Sequence, residues 1–303
     1  MRMDRRGFLK ASSLALAGGA LAPRTVFARR ETAQVVFNDL RGGVGFSTAS
    51  GGTIGWYNSP DALVVVDSQF ADTAQLFLDA QKQRNARPVD VLINTHHHPD
   101  HTGGNTAFKN ANTKMIVGHA KVPELMRMQA GANAAQVTVP DVTFTDTWRQ
   151  SFGRETIRAK YYAPAHTSGD AVIFFENANV AHMGDVGFFE RHPIVDRPAG
   201  ASVRGWIRLL EGVHADHNDQ TIFIFGHSKM GTPVTGQRAG LLVLRDYFTA
   251  VLDHVQKGIS ARQSREQIAA VQSLPRFESW EATPPRLTLQ NVVGVAYDEL
   301  TAP

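Results

Sequence analysis

The sequence predicts an α/β protein, and three patterns carry that expectation. A glycine-studded series of short β-type runs comes first. Two apolar runs, 62–67 and 89–94, then flank a helical periodicity over 71–84. From residue 234 onward the periodicity is helical almost throughout.

In chain order, 34–37, 44–46 and 53–57 read as strands joined by glycines at 42, 43, 45, 51, 52 and 55, which suits a meander of hairpins. Leu63, Val64, Val65 and Val66 leave no polar face, so 62–67 reads as a buried strand. Ala74, Leu76, Phe77 and Ala80 recur at helical spacing over 71–84. After the strand at 89–94 come a short helix past Gly104, a strand at 114–117, an Ala/Met-rich helix over 121–130, an alternating segment over 137–148 and a strand at 156–162. Apolar strands follow at 171–175 and 179–184. Ser202 is placed to cap a helix running to about His214, with Trp206, Leu209, Leu210 and Val213 on one face. The β-branched, aromatic run 221–227 is the last strand, and helices are expected at 234–257, 261–271 and 287–300. No internal repeat or hinge-like linker interrupts residues 29–303, which read as one domain.

The chemistry concentrates where the strand at 89–94 ends. Thr95-His96-His97-His98-Pro99-Asp100-His101 packs four imidazoles and a carboxylate into six residues. Gathering so many titratable rings is costly unless something binds them, and neutral imidazole with carboxylate suits zinc and its neighbours. His96 and His98, two apart in an extended segment, project to the same side. Asp100 and His101 lie past the turn that Pro99 helps to set. One loop can therefore feed two adjacent metal positions, while His97 points the other way.

This H-x-H-x-D-H stretch resembles the metal-binding motif of the metallo-β-lactamase superfamily. Later segments extend the resemblance in chain order, each at a strand end: His166 in Pro164-Ala165-His166-Thr167-Ser168-Gly169-Asp170, Asp185 after 179–184, and His227 after 221–226. The resemblance implies an αββα sandwich, two mixed β-sheets packed face to face and flanked by helices. It further implies that His96, His98 and His166 hold one divalent ion and that Asp100, His101 and His227 hold a second, with Asp185 shared. Asp170 is expected to support a loop or a ligand imidazole from outside, and His182 to be a core or supporting residue. Zinc is the expected metal, although the donor set also accepts iron and manganese.

Composition narrows the setting. Residues 1–28 carry five basic residues and one acidic, and Asp4-Arg5-Arg6-Gly7-Phe8-Leu9-Lys10 resembles the twin-arginine export signature. An apolar run, 14–22, and the small-residue site Val26-Phe27-Ala28 complete an export leader. Cleavage is expected near Ala28, and the mature protein is expected in the periplasm after passage through the twin-arginine machinery. Without the leader, 26 basic and 27 acidic residues remain, so the formal +3 of the whole chain offers no argument for a nucleic-acid partner. The apolar run is too short to make an integral membrane protein. The absence of cysteine excludes disulfides, thiolate ligands and cysteine nucleophiles.

The expected activity is that of a dinuclear zinc-dependent hydrolase. A metal-bridging hydroxide would act on a small-molecule ester, lactone, thioester or lactam, with Asp100 orienting the nucleophile or accepting its proton. Aspartate at 185, where lactamases usually carry cysteine or serine, makes a dedicated β-lactamase less expected than a promiscuous one. A metal-bearing accessory or binding protein with little turnover is the rival reading. Phe188, Phe189, Arg191, His192, Ser228 and Lys229 are expected to border the metals, and Trp56 and Tyr57 to form a lid.

Overall fold

A strand such as Leu63–Val66, apolar on both faces, must be covered on both sides, and the fold answers with four layers. The computed structural model describes residues 34–302; the expected leader at 1–28 lies outside them. The first sheet contains β1 (Val36–Arg41), β2 (Val44–Thr48), β3 (Ile54–Asn58), β4 (Leu63–Val66), β5 (Val91–Asn94), β6 (Met115–His119) and β7 (Val142–Phe144), in that spatial order. Its first four strands pair antiparallel as a meander, and β4 to β7 pair parallel. The second sheet is built from β8 (Thr147–Phe152), β9 (Glu155–Lys160), β10 (Val172–Phe175), β11 (Val180–His182), β13 (Ile222–Ile224) and β15 (Thr235–Gly236). A separate two-stranded pair joins β12 (Phe188–Phe189) to β14 (His227–Ser228) in parallel.

Strand alternation sorts the core. Val64, Val66, Val91 and Ile93 face Ile157, Ala159, Ile173, Phe175 and Ile224 between the sheets. Leu63, Val65 and Leu92 point to the opposite side, where α1 (Ala71–Arg84) supplies Ala74 and Phe77 and α3 (Asn105–Asn110) supplies Phe108. Val172, Phe174 and Phe223 point outward from the second sheet into the largest cluster, formed with α5 (Val203–Asp216), α6 (Arg238–Ser260) and α8 (Leu289–Thr301). The expected sandwich of two mixed β-sheets flanked by helices is thus the observed architecture.

Several boundaries differ for physical reasons. Residues 99–102, expected as a turn, form the one-turn α2 (Pro99–Thr102), because proline at the first helical position loses no needed N–H. The alternating segment 137–148 divides between β7 and β8, which belong to different sheets. The helix expected from 234 starts at Arg238, since Thr235 and Gly236 pair with β13 instead. The helix expected over 261–271 shrinks to α7 (Arg265–Ala269), opened by a capping box from Ser264 and Gln267. Ser202 caps α5 as its position suggested, accepting from the Gly205 N–H.

Trp56 and Tyr57 do not form a lid. Both side chains are buried in β3: Trp56 packs on Phe37 beneath the Arg84 guanidinium, and the Tyr57 hydroxyl donates to the Phe152 carbonyl. A strand interior with neighbours on both sides has no freedom to close over a site. The hairpin reaches the histidine cluster through its turn, where the Gly52 N–H donates to the Asp100 carbonyl and the Thr53 N–H to that of Gly226.

Candidate metal centre

All seven side chains singled out in the sequence converge at one edge of the sandwich. His96, His98 and Asp100 come from the loop after β5 and the start of α2, with His101 one residue on. His166 comes from the loop before β10, Asp185 from a 3-10 turn after β11, and His227 from β14. Donor atoms of His96, His98, His166 and Asp185 lie within 4.8 Å of one another, and so do those of Asp100, His101, Asp185 and His227. Asp185 belongs to both groups. Its Oδ1 is 2.9 Å from His101 Nε2, while its Oδ2 is 3.3 Å from His227 Nε2, 3.5 Å from His166 Nε2 and 3.9 Å from His96 Nε2.

The far side of each ring decides which nitrogen holds the proton. His166 Nδ1 lies 2.7 Å from the Ile194 carbonyl, and His101 Nδ1 lies 2.7 Å from Asp67 Oδ2. His98 Nε2 is 2.9 Å from Asp196 Oδ2. All three partners only accept, so each of these nitrogens donates. The Thr95 hydroxyl donates to Asp67 and accepts from His96 Nδ1 at 3.1 Å. Four rings therefore turn their other nitrogens inward, and in the neutral rings those nitrogens carry lone pairs.

Two consequences show that a cation fits this cluster. His166 Nε2 and His98 Nδ1 lie 2.8 Å apart, a hydrogen bond by distance alone, yet the outer partners leave both as acceptors. Meanwhile His96 Nε2, His101 Nε2 and Asp185 Oδ1 are buried without a hydrogen-bond partner among the described residues. The 2.9 Å approach of the last two is an ion pair in distance but not a hydrogen bond in direction. The acceptor nitrogens of His98 and His166, left facing one another, are costly, and a metal ion is the partner that imidazole nitrogen and carboxylate oxygen share.

The same field moves the titrations. Burial would raise the Asp185 carboxyl, but the neighbouring His101 and His227 outweigh it and hold the group well below the usual carboxylate range. Burial likewise opposes the charge on His101, and Asp185, Asp100 and Asp67 together raise it well above the ordinary histidine value. His227 is raised to about 9 against its burial, by Asp185 and Asp100. Burial first, then neighbouring imidazoles, depresses His96 strongly and takes His166 down to about 4. Exposure differs too: His96, His101 and His166 are almost sealed, whereas Asp100 and His227 keep 25% and 19% of their side chains open. Approach from solvent is thus from the Asp100 and His227 side.

Close backbone approach keeps this side shaped. A Cβ on Gly52 would sit 2.1 Å from His101 Cε1, and one on Gly226 2.3 Å from Asp185 Oδ1, so neither position tolerates a side chain.

Some supporting residues escaped the sequence reading. Asp67 accepts from the Thr95 N–H, the Thr95 hydroxyl and His101 Nδ1, and it holds a left-handed backbone with φ of 63°. Its signal was a carboxylate ending an apolar strand, the same one that marks Asp185. Asp196 sits in a polar loop that gave no signal. Asp170 accepts from the Thr167 N–H and hydroxyl and so pins the loop that carries His166. His182 bonds the Thr53 carbonyl and stands outside both groups.

Of the residues expected at the border, Phe188 stands beside His227 and His166, with ring centroids 5.3 and 6.2 Å away. Phe189 stacks on Phe225, and the Ser228 hydroxyl donates to the Thr232 carbonyl. The others turn toward α6 and the segment between α7 and α8. His192 bonds the Tyr247 hydroxyl, Arg191 donates to Thr283, and Lys229 reaches the Ser279 carbonyl.

The comparisons with known proteins agree with this geometry. The family model of the metallo-beta-lactamase superfamily matches residues 48–227. A probable metallo-hydrolase of Methanocaldococcus jannaschii is 25% identical over 66% of this chain and 97% of its own length. A hydroxyacylglutathione hydrolase of Hyphomonas neptunium is 27% identical over 50% of this chain, which spans only 49% of that relative. A metallo-beta-lactamase structure from Pontibacter korlensis superposes with a TM-score of 0.60 at 17% identity, covering 71% of this chain and 99% of that one. The chain belongs to the metallo-beta-lactamase superfamily, and its relatives support a hydrolase.

Two outcomes follow. Asp67→Asn keeps the shape but weakens the acceptor behind His101, and metal affinity measured by chelator competition should fall about 10- to 100-fold. In chelator-treated protein, His166 near 4 stays neutral where the unfolded chain takes up a proton, so stability drops as pH falls from 6.5 toward 4. His227 acts in reverse: its contribution is complete below 6.5 and is lost as pH rises through about 9. The urea midpoint should therefore peak near neutral pH and decline on both sides; a midpoint rising steadily across that range would contradict the assignment.

Proposed function

We propose that this chain is a dinuclear metallo-hydrolase acting on a small ester, thioester or lactone, with zinc as its metal. The observation that carries the proposal is the pair of four-residue groups sharing Asp185. His96, His98 and His166 would hold one ion, Asp100, His101 and His227 the other, and Asp185 both. Ions bound there supply Lewis acidity and lower the pKa of water to roughly 7.

The chain's own residues shape the rest. Asp67, Asp196, Thr95 and the Ile194 carbonyl keep four rings oriented as inward donors. Asp100 is the carboxylate on the open side, 3.1 Å from His227 Nε2, and is lowered to about 2 because His101 and His227 outweigh its burial. It is thus ionised at neutral pH and placed to accept the proton of a water adding to the carbonyl carbon. Returned to the leaving oxygen or sulfur as the carbonyl–heteroatom bond breaks, that proton completes the hydrolysis. The two aspartates offset only half the charge of two divalent ions, which favours a substrate that develops an oxyanion.

The thioester and ester choice is supported by the hydroxyacylglutathione hydrolase relative, a lactone is an ester closed into a ring and needs the same chemistry, and a β-lactam is the arm that tests promiscuous lactamase activity. The leader motif Arg5-Arg6 supports export by the twin-arginine route and a periplasmic location, with residues 29–303 as the hydrolase domain.

Zinc-loaded protein should turn over at least one of a panel of aryl ester, glutathione thioester, lactone and β-lactam. Asp100→Asn should lower kcat/KM by about 10²- to 10⁴-fold when assayed with its metal content verified. Loaded protein inert toward the whole panel would favour the accessory-protein reading, and a fully active Asp100→Asn would remove the proposed proton acceptor.

A further inference from the structure

Five rings face the two ion positions, and four of them are oriented by an outer partner. His227 is the exception. Its Nε2 lies 3.1 Å from Asp100 and 3.3 Å from Asp185, but among the described residues nothing accepts from its Nδ1. Where this ring points therefore depends on Phe188, 5.3 Å away between centroids, and on how firmly its own backbone is placed.

The backbone before His227 is fixed within the sandwich: the Gly226 N–H donates to the Gly184 and Gly187 carbonyls, and the Gly226 carbonyl accepts from the Thr53 N–H. The backbone after it is fixed from another quarter. The family match ends at residue 227 and takes in α1 to α5, α4 (Val122–Ala130) among them, whereas α6, α7 and α8 lie beyond it. Between α7 and α8, Phe277 and Trp280 are buried against Tyr247 of α6, the Trp280 and Tyr247 rings stacking at 4.3 Å.

That anchor delivers Glu281 to both loops beside the metals. Its N–H donates to the Glu190 carbonyl at 2.9 Å, its carbonyl accepts from the His192 N–H at 3.0 Å, and its carboxylate accepts from the Met230 N–H at 2.9 Å. One residue thus joins the segment after Phe188 to the segment after His227. The turn 229–232 closes on itself, since the Thr232 N–H and hydroxyl both donate to the Lys229 carbonyl, so it moves as one piece. The carboxylate of Glu281 holds that piece against the C-terminal segment, and the Lys229 ammonium adds a second tie to the Ser279 carbonyl at 3.1 Å.

We propose, on the dinuclear reading above, that Glu281 is a positioning residue for His227 and, through it, for the second ion alone. His96, His98 and His166 take their orientation from Thr95, Asp196 and Ile194, and so stand apart from this tie. Substituting the side chain keeps the backbone pairing with Glu190 and His192 and removes only the bond to Met230.

Zinc competed against a chromophoric chelator gives the two stepwise affinities of the full-length protein. Glu281→Ala should weaken one step about fivefold, the order expected for one hydrogen bond, and leave the other unchanged. Glu281→Gln should restore it, because an amide oxygen also accepts from the Met230 N–H. Glu278→Ala, at an exposed neighbouring position, should match the wild type. In cadmium-loaded protein followed by cadmium NMR, the signal displaced by Glu281→Ala should be the one that His227→Ala removes. Equal weakening of both steps, a Glu281→Gln protein as weak as Glu281→Ala, or displacement of the other cadmium signal would overturn the proposal. A wild type that holds fewer than two ions overturns the dinuclear reading and this inference with it; two ions in the wild type and no change on Glu281→Ala overturn this inference alone.

Discussion

Acceptors that can only accept hold the whole centre together. A carbonyl behind His166 and carboxylates behind His98 and His101 each capture a ring N–H, and Thr95 relays the same demand to His96. Each of these four rings is thereby obliged to face its second nitrogen inward. Removing one outer acceptor would free a ring to turn and give its buried nitrogen a different partner. The inner cluster is therefore maintained from outside, with its donor atoms converging on Asp185.

The layered fold supplies those acceptors from independent elements. β4 ends in Asp67, β5 in the histidine loop, β11 in the turn of Asp185, and β13 leads to His227, so the chemistry collects at one edge of both sheets. Cores on both faces of each sheet fix the strand ends, which lets short loops carry functional groups without long supports. The turn of the β2–β3 hairpin then closes against His101 through Gly52, where backbone alone fits.

How much of this was legible depended on whether a local pattern carried it. Strand and helix periodicities disclosed the α/β class and most elements, and four imidazoles in six residues disclosed the position of the centre. The two-sheet arrangement came from the resemblance, because alternation in a strand does not reveal which sheet it joins; β7 and β8 lie nearly consecutive in sequence yet part company. Asp67 was hidden because a lone carboxylate after a strand has many uses, and Asp196 because its loop has no period. Trp56 and Tyr57 misled since an aromatic pair in a glycine-rich hairpin looks mobile until Arg84 and Phe152 are seen to enclose it.

The central claim is that these donors cage two ions. Crystals of zinc-loaded protein, measured on both sides of the zinc absorption edge, would test it most directly. The account predicts two anomalous peaks about 3.5–4 Å apart: one among His96, His98 and His166, one among Asp100, His101 and His227, and both in reach of Asp185. No peak in the cluster, or zinc held elsewhere with these rings bonded only to one another, would contradict it.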